Sequence, residues 1–183
     1  ATIDLFAKIV KATSAKHDED HLRIIIDNNP KMPSRLDAIL KGGPSPVPAM
    51  VATAKNIERA GADFIVIGAN TAHWFHADVQ KAVKVPVLNI IEETVIWTQR
   101  CLPEVKTIGL LATTGTVKTA MYHRAFKKKG IEVVAPKELD QEKVMASIMG
   151  FKYGEPLSAM QLKMVEVAES LLTAGAKGLV MGC

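Results

Sequence analysis

Short runs of uniformly apolar residues alternate along this chain with stretches of helical periodicity, and that alternation narrows its fold more than any other feature. The runs are LRIIID (22–27), FIVIGA (64–69), VPVLNI (85–90), TIGLLA (107–112), IEVVAP (131–136) and GLVMGC (178–183). A strand covered on both faces must be apolar at nearly every position, and these are. Helical patterns fill the intervals, at 47–59, 74–83, 92–101, 117–129, 138–150 and 157–173. Val47, Met50, Val51, Ala54 and Ile57 show the three-to-four spacing of one buried face. Strand alternating with helix predicts an α/β fold with parallel sheets and right-handed crossovers.

Nothing in the chain suggests a membrane, a leader or a nucleic-acid partner. No apolar run approaches the roughly 18 residues that a membrane-spanning helix needs. At the N-terminus, Ile3, Phe6, Ile9, Val10 and Thr13 fall at helical spacing, which makes an amphipathic helix and not a signal peptide. The net charge is +4. Its basic residues are interspersed with acidic ones, so no nucleic-acid-binding surface is expected. The run Lys127, Lys128, Lys129 suits a helix C-terminus. Two cysteines, Cys101 and Cys183, make no disulfide framework and point to a reducing, cytoplasmic compartment.

The 183 residues suffice for one large or two small domains. CLPEVK (101–106) breaks a helix before a new strand, so the boundary is expected there, giving domains 1–101 and 102–183. Ala1 opens a helix with no strand before it, and Cys183 ends a strand with no helix after it. A sheet of this kind would have an uncovered face at each end.

An internal repeat links the two parts. AGADFIVIGA (60–69) aligns without gaps on AGAKGLVMGC (174–183). A helix stop followed by a strand ending in glycine thus occurs once in each half. Either two parallel strands have converged on a common pattern, or two similar half-domains face one another across a cleft. Cys183 lies at the carboxyl end of its strand, where ligands of α/β sheets bind, and Ala69 occupies the matching place.

Other segments carry polar groups to strand ends. In ANTAH (69–73), Asn70 and Thr71 follow a buried strand and open a helix, where they either cap it or meet a ligand. TTGT (113–116) follows the 107–112 strand in the same way and makes a small turn able to hold an anion. Lacking the P-loop pattern, it fits a carboxylate better than a nucleoside triphosphate. Two such turns, one per half, suggest a small dicarboxylate. Arg35, in the turn-rich DNNPKMPSR (27–35), is either a surface arginine or a two-pronged carboxylate donor. His73 and His76, like His17 and His21, have helical spacing, but no HExxH or cysteine cluster accompanies them, so no metal site is expected. Glu92 and Glu93 suit a helix start, and Cys101 reads as a structural thiol.

Taken in order, DNNPKMPSR, AGADFIVIGANTAH, VPVLNIIEET, GLLATTGT, the stretch around Lys152 and AGAKGLVMGC resemble the aspartate/glutamate racemase superfamily, nearest its aspartate racemase branch. His73 and the TTGT turn favour that branch. The resemblance implies two similar parallel-sheet α/β half-domains related by pseudo-two-fold symmetry, with the active site in the cleft between them. It implies racemisation of a dicarboxylic amino acid, aspartate or glutamate, without pyridoxal phosphate, metal or other cofactor, in a homodimer. Two cysteines would address opposite faces of the substrate α-carbon, one removing a proton and the other returning one. Cys183 matches one of them, with its thiolate favoured by a helix N-terminus and Lys152. Arg35 and Lys152 would hold substrate carboxylate, and Asn70, Thr71, Thr114 and Thr116 would line the cleft.

The chain departs from the family pattern in places. Ala69 stands where the first catalytic cysteine belongs. Ser34, next to the substrate-binding Arg35, replaces the usual acidic residue. The family's glycine-rich first strand is expected just upstream of Ala1, and a Thr-Glu turn just beyond Cys183. The expectation is therefore a two-base racemase that is inactive or impaired at Ala69. The alternative is a non-catalytic, dicarboxylate-binding paralogue of the same fold.

Overall fold

The computed structural model describes residues 2–183. The chain forms two compact units, one ending at Asn89 and the other running Ile90–Cys183. The division falls earlier than the break at 101–106 suggests. Helix α5 (Ile90–Cys101) goes with the second unit because Ile91 and Val95 pack into the same core as Ile108, Leu110 and Tyr122.

In the second unit, β3 (Thr107–Ala112), β4 (Glu132–Val134) and β5 (Leu179–Gly182) make a parallel sheet in the order β4-β3-β5. The central strand is buried along nearly its whole length, as its unbroken apolar run predicts. Two clusters cover the sheet. One gathers Ile108, Leu110, Phe126 and Val180; the other gathers Leu111 with Val144, Val167 and Leu171 from α8 (Glu138–Lys152) and α9 (Leu157–Thr173). The helix expected at 117–129 is broken. Ala120 takes a left-handed conformation, φ 51°, between α6 (Thr114–Lys118) and α7 (Met121–Lys127). The Thr119 hydroxyl donates to the Thr116 carbonyl at the end of α6, just before the break.

The first unit has a much smaller ladder. Its strands β1 (Ile65–Val66) and β2 (Val87–Leu88) pair in parallel through Ile65↔Val87 and Val66↔Leu88. Around them lie α1 (Thr2–Ala12), α2 (Arg35–Leu40), α3 (Val47–Arg59) and α4 (His76–Ala82). Met50, Ala54, Ile65, Val79 and Val87 form the core. The strand expected at 22–27 is not one. The segment takes no regular secondary structure, and among the described residues its backbone makes no hydrogen bond to another backbone group. Uniform apolarity marks a segment that wants burial; it does not supply a ladder partner. Leu22 and Ile26 remain exposed, and this segment and β1 both line a cavity of about 580 Å³, with Leu5, Phe6, Ile24, Ile26, Ile65 and Ile67 among its apolar lining.

The internal repeat has a physical cause. Helices α3 and α9 stop in the same way. Gly61 and Gly175 have φ of 87° and 102°, a region that costs a Cβ-bearing residue energy. Gly61 N–H donates to Glu58 and Ala62 N–H to Ile57; Gly175 N–H donates to Leu172 and Ala176 N–H to Leu171. This left-handed cap satisfies the last carbonyls of each helix and turns the chain into a strand.

The unequal ladders give a testable difference. In native-state hydrogen exchange, amides of Leu22–Asp27 should exchange orders of magnitude faster than those of Ile108–Leu111, which open only with the unit. Comparable protection of the two segments would contradict this description.

Candidate active site

In the second unit, parallel register determines which residues leave the sheet together. The last pair of the β3–β5 ladder is Ala112↔Gly182, so Thr113 and Cys183 follow at the same edge. Close approach of the strands dictates the glycine. A Cβ at Gly182 would lie 2.9 Å from the Ala112 Cβ and 3.2 Å from Leu110 Cδ1. At Gly68, the matching place in the first unit, the nearest side-chain atom would be 3.7 Å away, so the tips are packed differently.

Cys183 is exposed and unpaired by any disulfide. The burial that remains around its sulfur pushes the thiol above the ordinary cysteine range, and the charge of Lys152 offsets part of that rise. Lys152 is the last residue of α8. Lys152 acts on the thiol in the direction expected of it, toward the thiolate, and desolvation acts against it more strongly.

The TTGT turn is ordered from within. The Thr113 hydroxyl caps α6 by accepting from Thr116 N–H at 3.3 Å. The Thr113 and Thr116 hydroxyls lie 3.1 Å apart. Thr116 is completely buried, so its hydroxyl serves the turn instead of facing outward. Thr114 is half-buried, and Gln141 from α8 reaches over it. The Gln141 side-chain amide donates to the Ala112 carbonyl at 2.9 Å and to the Thr114 hydroxyl at 3.4 Å. A hydroxyl that accepts in this way keeps its own proton for another acceptor. No spacing in the sequence ties Gln141 to this turn.

In the first unit, Ala69, Asn70 and Thr71 leave β1 together. Ala69 is extended, φ −149° and ψ 114°, and precedes a 3₁₀ turn over Asn70–Phe75. Asn70 and Thr71 are half-buried at the head of this turn. Arg35 and Ala69 line the same cavity, and α2 packs against the 3₁₀ turn. The Arg35 guanidinium donates to the Pro33 carbonyl at 3.3 Å. Ser34 has a structural task, accepting from Asp37 N–H at 3.2 Å to cap α2.

The sequence marks His73 as a poor metal ligand and a sign of the aspartate branch; the structure gives it a local task. Its Nδ1 lies 3.0 Å from the Ala69 carbonyl oxygen, and burial lowers its pKa below the ordinary histidine range. Among the described residues, no cluster of His, Cys, Asp or Glu is suited to a metal, and no helix is long and apolar enough to cross a membrane.

This geometry has close counterparts. The aspartate racemase of Picrophilus torridus superposes on all of this chain and 75% of its own with a TM-score of 0.88 at 28% identity. An aspartate racemase homologue from Pyrococcus horikoshii matches all of this chain and 79% of its own with a TM-score of 0.76; at 24% identity that likeness bears on the fold alone. Broad specificity amino-acid racemase RacX of Bacillus subtilis is 36% identical over 87 residues, 47% of this chain and 37% of that protein. The chain thus aligns with little more than a third of that curated relative. The two α/β units with parallel sheets are those of racemases of this two-domain fold. The model of one family matches residues 1–183 without remainder, and the chain belongs to that family, Asp/Glu/Hydantoin racemase.

Proposed function

We propose that this chain has the fold and binding groups of a cofactor-independent amino-acid racemase of aspartate type, and that Ala69 leaves it with one of two acid/bases. The observation that carries the reading is the repeated device itself. The same glycine cap and strand lead to Cys183 in one unit and to Ala69 in the other.

The chemistry asks for a group on each face of the α-carbon. A thiolate takes the α-hydrogen as a proton, leaving the electron pair on carbon. A thiol on the other face then gives its proton to that carbon and becomes the new thiolate. A thiol kept above its ordinary pKa suits the donating half, since it rests protonated. The carbanion needs hydrogen-bond donors at the substrate carboxylates. In this reading Arg35, Lys152, Asn70 and Thr71 supply them, with Thr114 aimed by Gln141. Thr116 supports that turn from beneath, and Ser34 holds the start of α2 below Arg35. Alanine moves no proton, so the second face is mute. The substrate class is a small dicarboxylic amino acid.

Losing one acid/base typically costs about 10²–10⁴ in rate. The chain should therefore racemise aspartate at near-background rates, and Ala69→Cys should raise the rate by at least about 10². Polarimetry or chiral chromatography on both proteins checks this. Inversion at ordinary enzyme rates by the unaltered chain would refute the assignment of Ala69. Aspartate binding without turnover even after Ala69→Cys would favour a binding paralogue instead, a reading to which Ala69 also lends weight.

The pH dependence of Cys183 gives a second test. Site-resolved alkylation with iodoacetamide should reach its half-maximal rate above about pH 8.5, the value for an unperturbed cysteine. Because Lys152 lowers the thiol pKa, Lys152→Met should push that midpoint higher and slow alkylation at mildly alkaline pH. A midpoint at or below the unperturbed value, or one indifferent to Lys152, would contradict the local electrostatics.

A further inference from the structure

The β1–β2 ladder is two residue pairs long, and Ala69 lies beyond its last paired residue, Val66. So short a ladder does little to hold the strand end. Side chains take over. Glu58 accepts from the backbone N–H groups of Lys84 and Val85. Gln80 accepts from Val87 N–H at 2.8 Å and donates to the Val85 carbonyl at 3.1 Å. Nearest the tip stand two imidazoles, His73 and His76, stacked with centroids 5.9 Å apart and planes 10° from parallel.

Each ring faces a backbone carbonyl, so each must present N–H there. His73 Nδ1–H donates to Ala69 at 3.0 Å, and His76 Nε2–H donates to Val87 at 2.7 Å. The stacked pair therefore joins the end of β1 to the end of β2 where the ladder has run out. His73 is 5% exposed and has little freedom to leave.

We infer that His73 is a positioning residue for position 69, holding the backbone there so that its side chain, and the adjoining Asn70 and Thr71, keep one direction. The inference rests on the racemase reading of position 69. His73 touches no reacting atom and acts through the residue-69 carbonyl. In this chain the holding device is intact although alanine has nothing to aim.

The test restores something to aim. In an Ala69→Cys background, His73→Leu keeps bulk and removes the donor. His73→Asn retains an amide N–H near the place of Nδ1–H. His73→Leu should lower kcat by about 10- to 100-fold with KM little changed, the scale of a misplacement near 1 Å. His73→Asn should recover most of the loss. Alkylation of the thiol introduced at position 69, resolved by mass spectrometry from Cys101 and Cys183, supplies a readout that needs no turnover. His73→Leu should shift the pH profile of that thiol and leave those of the other two cysteines in place, and His73→Asn should return it. If Ala69→Cys does not racemise but the profile of the introduced thiol still follows His73, the positioning role stands and the racemase reading falls. If neither kcat nor that profile responds to His73→Leu, or if His73→Asn is as damaging as His73→Leu, the positioning role is wrong.

Discussion

A strand can aim the residue at its carboxyl end only as firmly as hydrogen bonds hold that end. The two units meet this requirement differently. In the second, β3 is paired on both sides, and its ladder with β5 continues to Ala112↔Gly182, immediately before Thr113 and Cys183. The close contact at Gly182 leaves no room for a side chain, so the tip is fixed by the sheet itself. In the first, the ladder among the described residues is two pairs long, and Glu58, Gln80, His73 and His76 add side-chain hydrogen bonds to it. Of these four, His73 is buried, and a buried polar group must find its partner.

The groups at these tips are tuned in opposite directions by one cause. Burial disfavours charge, so the Cys183 thiol is pushed up and His73 is pushed down. For His73 this suits a hydrogen-bonding task, because a neutral ring still donates from one nitrogen. For Cys183 it raises the thiol pKa, with Lys152 limiting the rise.

Much of this was legible in the sequence, for reasons that differ by residue. The repeat at 60–69 and 174–183 was visible because a left-handed helix stop demands glycine, and Gly61 and Gly175 meet that demand. The 107–112 run was readable because a central parallel strand is buried on both faces. LRIIID misled because apolarity reports burial and says nothing of a pairing partner. The helix expected at 117–129 hid a turn at Ala120, a residue whose propensity gives no hint of a left-handed backbone. CLPEVK looked like a domain boundary because it breaks a helix, yet α5 owes its allegiance to contacts made by Ile91 and Val95. Gln141 lies far along the chain from the turn it braces, and only folding brings them together. Thr116 and Ser34 enter the expected site through the family resemblance; in the structure their hydroxyls hold a turn and cap a helix.

The central claim is that Cys183 is the one working acid/base left. A lone thiolate can take the α-proton from the enantiomer whose hydrogen points toward it, exchange that proton with solvent, and return a deuteron to the same face. Incubating each enantiomer of aspartate with the protein in heavy water reads this directly by NMR. The account predicts α-deuteration of one enantiomer with retention of configuration, none of the other, and loss of the exchange in Cys183→Ser. Equal exchange of both enantiomers, exchange that survives Cys183→Ser, or no exchange of either would contradict it.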